Sequence, residues 1–153
     1  MNEIVIERGA NSFLTNVDLY VDGNFLTTVQ ADGIIISTPT GSTAYNLSAG
    51  GSILHNQVRA VCVTPICPHS LSFRPIILPD TSVITIKVSE EQRADTCWVC
   101  IDGDFKFEIG RGEEIHIEGS IQPVPIVVFM KDDQGEEWCK RLNELLYFNQ
   151  RKE

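Results

Sequence analysis

Thr38-Pro39-Thr40-Gly41-Ser42-Thr43 gathers hydroxyls, a proline and a glycine into one short run, directly after the apolar stretch Ile34-Ile35-Ile36. A strand that runs into a Gly/Ser/Thr loop opening a helix presents backbone N–H groups and hydroxyl donors to an anion. The spacing is neither that of a Walker loop nor that of the GxGxxG dinucleotide turn. The same composition also describes an ordinary helix N-cap. Asn2-Glu3 sets an amide, which donates and accepts, beside a carboxylate, which accepts, at the start of a strand-like pattern. Such a pair can clamp a ribose diol, and a solvated strand end accounts for it equally well. Asp32, ahead of Gly33, is either a placed acceptor or a turn residue. Asp102-Gly103-Asp104 is first a hairpin turn and only second a site.

Cys97-Trp98-Val99-Cys100 has the spacing of a metal or redox pair. On a strand, positions three apart point to opposite faces, so these two thiols cannot share a tetrahedral ion without a turn. There is no second CxxC and no βαβ context for a thioredoxin-like site, so the cysteines read as small core hydrophobes and no bound metal is expected. His55, His69 and His116 occur singly. His116 alternates with Ile115 and Ile117, which puts it on the solvated face of a strand. His69 lies in the proline-stiffened segment Thr64 to Ser70, a loop able to border a ligand. No G-x-S-x-G elbow is present and no nucleophile–base pair can be assigned.

The elements that must carry these residues are mostly strands. Ile4 to Ile6 makes a short one. Val17, Leu19 and Val21 alternate with polar neighbours, turn at Asp22-Gly23 and return over Phe25 to Val29. Ile34 to Ile36, apolar on both faces, predicts a covered central strand. Ala44, Leu47, Gly51 and Leu54 then recur at helical spacing, predicting a helix with a narrow buried face. Further strands are expected over Ala60 to Thr64, Val83 to Val88, Cys97 to Ile101, Phe105 to Ile109, Ile115 to Ile117 and Val124 to Met130. Many short strands joined by glycine turns predict an all-β fold, a two-layer β-sandwich, rather than βαβ repeats. Trp138, Leu142, Leu145 and Leu146 predict a C-terminal amphipathic helix. The expected organisation is a sandwich over 1–130 and a linker with helix over 131–153.

Composition narrows the partners. The chain has 153 residues, with 12 Lys and Arg against 21 Asp and Glu, a net charge of −9. That balance supplies no global field for nucleic acid or an anionic membrane, so an anionic ligand must be held locally. No apolar run approaches a bilayer span. The odd total of five cysteines, without a secretory signal, reads as reduced thiols in the cytoplasm.

From Asp32 to Gly51 the sequence closely resembles the signature of the NAD kinases. Asn2-Glu3 is similar to that family's Asn-Glu pair, and Thr64-Pro65-Ile66-Cys67-Pro68-His69-Ser70-Leu71-Ser72-Phe73-Arg74-Pro75 is similar to its next ordered segment in eukaryotic form. The Asp102-Gly103 turn and the helix from Trp138 to Asn149 also fit. The resemblance implies the C-terminal β-sandwich of an enzyme that moves the γ-phosphoryl of ATP, with a divalent metal (Mg), to the 2′-hydroxyl of the adenosine ribose of NAD, giving NADP. It implies that Asn2 and Glu3 bind the adenosine ribose region. Thr43, Ala44, Tyr45 and Ser48 would line the dinucleotide site, with Thr40 close by. Asp32 and the Cys67 to His69 loop would reach a neighbouring subunit's ligand in a homo-oligomer, a dimer or tetramer. The family's Gly-Gly-Asp-Gly motif, whose aspartate is its proposed general base, does not occur in these residues. The expectation is therefore a substrate-binding half, inactive alone, whose last helix packs on an N-terminal kinase domain. A non-catalytic NAD(P)-binding or oligomerisation module is the alternative, and a lipid kinase is disfavoured by the Thr-Gly-Ser-Thr-Ala-Tyr run.

Overall fold

The computed structural model describes residues 1–10, 12–70, 72–122, 124 and 134–147. The chain divides into two compact units, Met1–Gly119 and Ser120–Glu153. The first holds ten strands: β1 (Glu3–Glu7), β2 (Thr15–Val21), β3 (Asn24–Ala31), β4 (Gly33–Ser37), β5 (Ala60–Ile66), β6 (Ile76–Pro79), β7 (Ile84–Val88), β8 (Thr96–Ile101), β9 (Phe105–Gly110) and β10 (Glu114–Ile117). They form a six-stranded sheet, ordered β6-β5-β4-β1-β8-β9, and a four-stranded sheet, ordered β10-β7-β2-β3, with antiparallel pairing throughout.

Alternation along the strands sorts the side chains. Ile6, Ile34, Ile36, Val63, Cys97 and Val99 of the larger sheet meet Val17, Leu19, Ile84, Ile86 and Val88 of the smaller one, forming the inter-sheet core. The β4 run Ile34-Ile35-Ile36 is buried on both faces, as its composition predicts: Ile35 joins Val5 and Cys100 in a second cluster, against which Ala49 and Ile66 pack. Cys97 and Cys100 belong to different clusters on opposite faces, which the strand geometry required. Both hairpins turn on Asp-Gly, with φ of 50° and 76° at Asp22-Gly23 and again at Asp102-Gly103, the left-handed pair that suits a two-residue turn. After β9, Gly112 turns the chain so that β10 pairs with β7 and crosses to the other sheet.

One expectation needs correction. The helix predicted over Ala44 to Leu54 is only α1, Tyr45–Ser48, and its buried residue is Asn46 rather than Leu47. The apparent period came from residues that pack in an irregular segment, where Leu54 joins Ala60 and Cys62 of β5. Strand β6 gives no clear sequence signal because Pro75 precedes it, Pro79 ends it and its pattern is short. The second unit contributes α2, Gln134–Leu146, where a helix was expected. The strand expected over Val124 to Met130 lies outside the described residues but for Val124.

Candidate functional site on the outer face of the six-stranded sheet

The Asn2-Glu3 segment is held from two sides. On one side stands the hydroxyl-rich turn: the Thr38 N–H donates to the Asn2 carbonyl at 2.9 Å. The Thr38 hydroxyl contacts the Met1 and Asn2 carbonyls at 3.0 and 3.2 Å and accepts the Gly41 N–H at 3.1 Å. Gly41 lies so close that an added Cβ would run into the Asn2 carbonyl group, which explains glycine here. On the other side stands the β8–β9 hairpin. Asp102 Oδ1 accepts from the Asn2 N–H at 2.6 Å and the Glu3 N–H at 3.1 Å, and the Asp102 N–H donates to the Glu3 carbonyl at 3.1 Å.

Glu3 itself points to unmet chemistry. Its Oε2 is buried and has no hydrogen-bond partner. Burial, and secondarily the neighbouring Asp102 carboxylate, raise its pKa above the ordinary glutamate value. A buried carboxylate oxygen without a donor, on a half-buried residue, suits a ligand hydroxyl or amide.

Asn46 anchors the turn. It is fully buried, donates from Nδ2 to the Ser42 and Ser52 carbonyls, both at 3.1 Å, and accepts from the Thr64 hydroxyl at 2.7 Å. The Ser42 hydroxyl is likewise turned inward, donating to the Pro39 carbonyl at 2.6 Å and accepting the Leu54 N–H at 2.9 Å. The hydroxyl run therefore divides. Thr38 and Ser42 hold the turn together, and neither the Thr40 nor the Ala44 cap position makes a side-chain capping bond. Thr40, Tyr45 and Ser48 are exposed, while Thr43 and Ala44 are half-buried.

Tyr45 links this turn to the next cluster. Burial raises its pKa first, followed by the nearby Glu7, Cys67 and Asp32, so these three groups lie within electrostatic reach of the phenol in the same chain. Asp32 Oδ1 receives Arg8 Nε at 3.0 Å, and Lys106 Nζ stands 3.9 Å from Glu7 Oε1. Cys67 carries a positive φ of 47° where the chain leaves β5.

His69 stands elsewhere. It lines a cavity of about 500 Å³ with Ser12, Phe13, Leu14, Asn16, Gln30, Glu91 and Arg93, and its N–H donates to the Gln30 carbonyl at 2.8 Å. His116 is exposed on β10, bonded to the Thr85 hydroxyl at 2.9 Å and to Glu114 at 3.1 Å. The described residues contain no cluster of three or more His, Cys, Asp or Glu side chains placed to hold a metal ion. Asp102 is the residue that sequence reasoning undervalued. Its Asp-Gly turn signal was complete, and nothing in it announced the contact to residues about 100 positions earlier.

These features define a β-sandwich domain with its polar site on the outer face of one sheet. The chain belongs to the ATP-NAD kinase C-terminal domain family, whose model matches residues 1–129. It is 46% identical over 143 residues to the NAD(+) kinase of Saccharomyces cerevisiae, covering 94% of this chain and 27% of that protein. It is 44% identical over 151 residues to NAD kinase 2, chloroplastic, of Arabidopsis thaliana, covering 99% of this chain and 15% of that protein. Among solved structures, yeast NADH kinase complexed with NADH matches with a TM-score of 0.87 and 39% identity, over 100% of this chain and 45% of that one. An NAD kinase from Archaeoglobus fulgidus in complex with ATP matches with a TM-score of 0.70 and 28% identity, over 78% of this chain and 45% of that one. The chain spans only 15% to 37% of the length of these and other curated relatives. No helix among the described residues is long and apolar enough to cross a membrane.

Proposed function

We propose that this chain is the NAD-binding half of an NAD kinase, presenting the adenosine ribose of NAD for ATP-dependent phosphorylation of its 2′-hydroxyl. The observation that carries the reading is the unpartnered Glu3 Oε2 beside an Asn2 backbone fixed from both sides. Glu3 accepts a ribose hydroxyl and the Asn2 amide supplies a second polar contact. Thr43, Ala44, Tyr45 and Ser48 line the dinucleotide site beside Thr40, with the Tyr45 ring bordering a base or ribose. Asp32 and His69 complete the site of a neighbouring subunit in a homo-oligomer. Among the described residues, the cavity that His69 lines includes none of Asn2, Glu3, Thr43 or Tyr45, which supports a second half-site there.

Phosphoryl transfer depends on positioning and on neutralising charge at the phosphates. Within this reading, the ATP, the Mg and the Gly-Gly-Asp-Gly general base belong to sequence outside these 153 residues. The segment 131–153 is the linker and helix that dock on that domain, and the sandwich over 1–130 binds the acceptor. The chain alone binds NAD and does not phosphorylate it.

Titration calorimetry of the purified chain with NAD and NADP tests binding, and an ATP-dependent NADP assay tests activity. Saturable NAD binding without turnover supports the reading. A folded chain that binds neither dinucleotide, or one that makes NADP at the rate of a two-domain enzyme, overturns it.

A further inference from the structure

We propose that Asp102, at the tip of the β8–β9 hairpin, is a positioning residue that fixes the Asn2-Glu3 backbone and so aims Glu3 at its ligand. The proposal rests on the reading of this site as a dinucleotide site. A single carboxylate oxygen receives two consecutive backbone N–H groups, at 2.6 and 3.1 Å, and the Asp102 N–H returns a bond to the Glu3 carbonyl at 3.1 Å. Charge-assisted bonds of this kind are shorter and about twice as strong as neutral ones. The hairpin itself needs only the turn preference of Asp-Gly, which leaves the side chain free for this longer-range task.

The opposite side of the same peptide rests on Thr38 and Gly41. Removing the Asp102 side chain would leave the Asn2 and Glu3 N–H groups without their acceptor, and on the hairpin side only the backbone bond from residue 102 to the Glu3 carbonyl would remain. β1 pairs with β4 and β8 from Glu3 and Ile4 onward, so the sheet survives while its first residues loosen.

Asp102 has a second consequence for Glu3: its negative charge disfavours a second carboxylate nearby. The charged groups around Glu3 are Asp102 from the hairpin and the Met1 amine, 3.9 Å from Asp102 Oδ2. On the same face, Lys106 is paired with Glu7. β4 and the Thr38 to Gly41 turn contribute no acidic or basic side chain, and β8 offers only the Cys97 and Cys100 thiols.

The test compares Asp102→Asn, Asp102→Ala and the parent chain. Asp102→Asn keeps an acceptor oxygen and removes the charge, whereas Asp102→Ala removes both. NAD affinity is measured by calorimetry, amide exchange of Asn2 and Glu3 by NMR, and the Glu3 carboxyl midpoint by NMR titration without ligand. Asp102→Ala should weaken NAD binding by about tenfold and speed exchange at Asn2 and Glu3, while core amides such as that of Ile86 stay protected. Asp102→Asn should keep affinity within about threefold near neutral pH and move the Glu3 midpoint to lower pH, a change that a merely structural residue does not cause. Parental affinity and exchange in Asp102→Ala, or a parental Glu3 midpoint in Asp102→Asn, overturns the proposal. If Asp102→Ala loses core protection, Asp102→Asn carries the decision through exchange and midpoint. A parent chain that binds no NAD defeats the functional reading, while those two ligand-free measurements still decide whether Asp102 positions Glu3.

Discussion

The Thr64 hydroxyl donates to Asn46 Oδ1 at 2.7 Å, joining the four-residue helix α1 to the face of strand β5 that points away from the inter-sheet core. Asn46 is wholly buried and its amide also ties the Ser42 and Ser52 carbonyls. A helix this short has no stability of its own, so the asparagine acts as its anchor. Asn46→Ala strands the buried Ser42 carbonyl and Thr64 hydroxyl, releases the part-buried Ser52 carbonyl, and should cost about 2–4 kcal/mol. Urea denaturation measures this, and a cycle with Thr64→Val should show a coupling of about 1 kcal/mol or more between the two residues. Independent, additive losses would mean that the bond contributes little.

Gly41 is the tightest point of the site. A methyl group there meets the Asn2 carbonyl group, so Gly41→Ala must push either the turn or the start of β1 aside. The sandwich core does not depend on that contact. The expected result is a loss of NAD affinity of at least about tenfold, equivalent to about 1.4 kcal/mol, with a much smaller change in the urea midpoint. Calorimetry and denaturation on the same sample separate the two effects.

Glu3 should trade stability for binding. Its folded-state pKa lies above that of the unfolded chain, for reasons of burial first and Asp102 second. A raised carboxyl contributes stability below the unfolded value, and that contribution is lost as pH rises through the folded value. At neutral pH the ionised Glu3 is therefore a burden on the free protein. Glu3→Gln should raise the melting temperature at pH 7 by roughly 1–3 °C, with a smaller advantage near pH 4, while NAD affinity falls. Equal melting temperatures across that pH range would remove the burial argument.

The sandwich was legible because its signals are local. Alternation in β2, the continuous β-branched run of β4 and the two Asp-Gly turns each state their structure within a few residues. Segment 44–54 was misread because a period of three or four is also what an irregular segment shows when it packs one side on a sheet. Its real determinant, the Asn46–Thr64 bond, spans 18 positions and leaves no mark on local periodicity. The same reason hid Asp102. The family signature located the candidate residues, but only the fold separates hydroxyls that brace the turn, Thr38 and Ser42, from the exposed Thr40 and Ser48.

The thiols give a check on the fold that needs no ligand. Cys97 sits in the inter-sheet core with its pKa pushed up to about 11 by burial, and burial raises Cys62 as well. The thiolate is the reactive form, so both should resist an aromatic disulfide reagent at pH 8 until the chain unfolds. Cys67 is exposed at the end of β5 and should react at once. Mass mapping of the labelled sites checks the order, and early labelling of Cys97 would contradict the sheet packing.

Tyr45 decides how far the phenol matters beyond its ring. The side chain is 41% exposed, and its pKa is raised by burial, then by Glu7, Cys67 and Asp32. The phenol therefore stays protonated, and a hydrogen-bond donor, above the ordinary range for tyrosine. Tyr45→Phe removes that donor and keeps the ring face, whereas Tyr45→Ala removes both. If the ring borders the dinucleotide, Tyr45→Ala should weaken NAD binding by about ten- to thirtyfold, through lost contact area and an aromatic contribution of about 0.5–1.5 kcal/mol. Tyr45→Phe should lose about threefold, the scale of one neutral hydrogen bond. Because the donor persists, the parent's affinity should stay flat between pH 7 and 9. A ranking in which Tyr45→Phe is as impaired as Tyr45→Ala would assign the contact to the hydroxyl and leave the ring as scaffold.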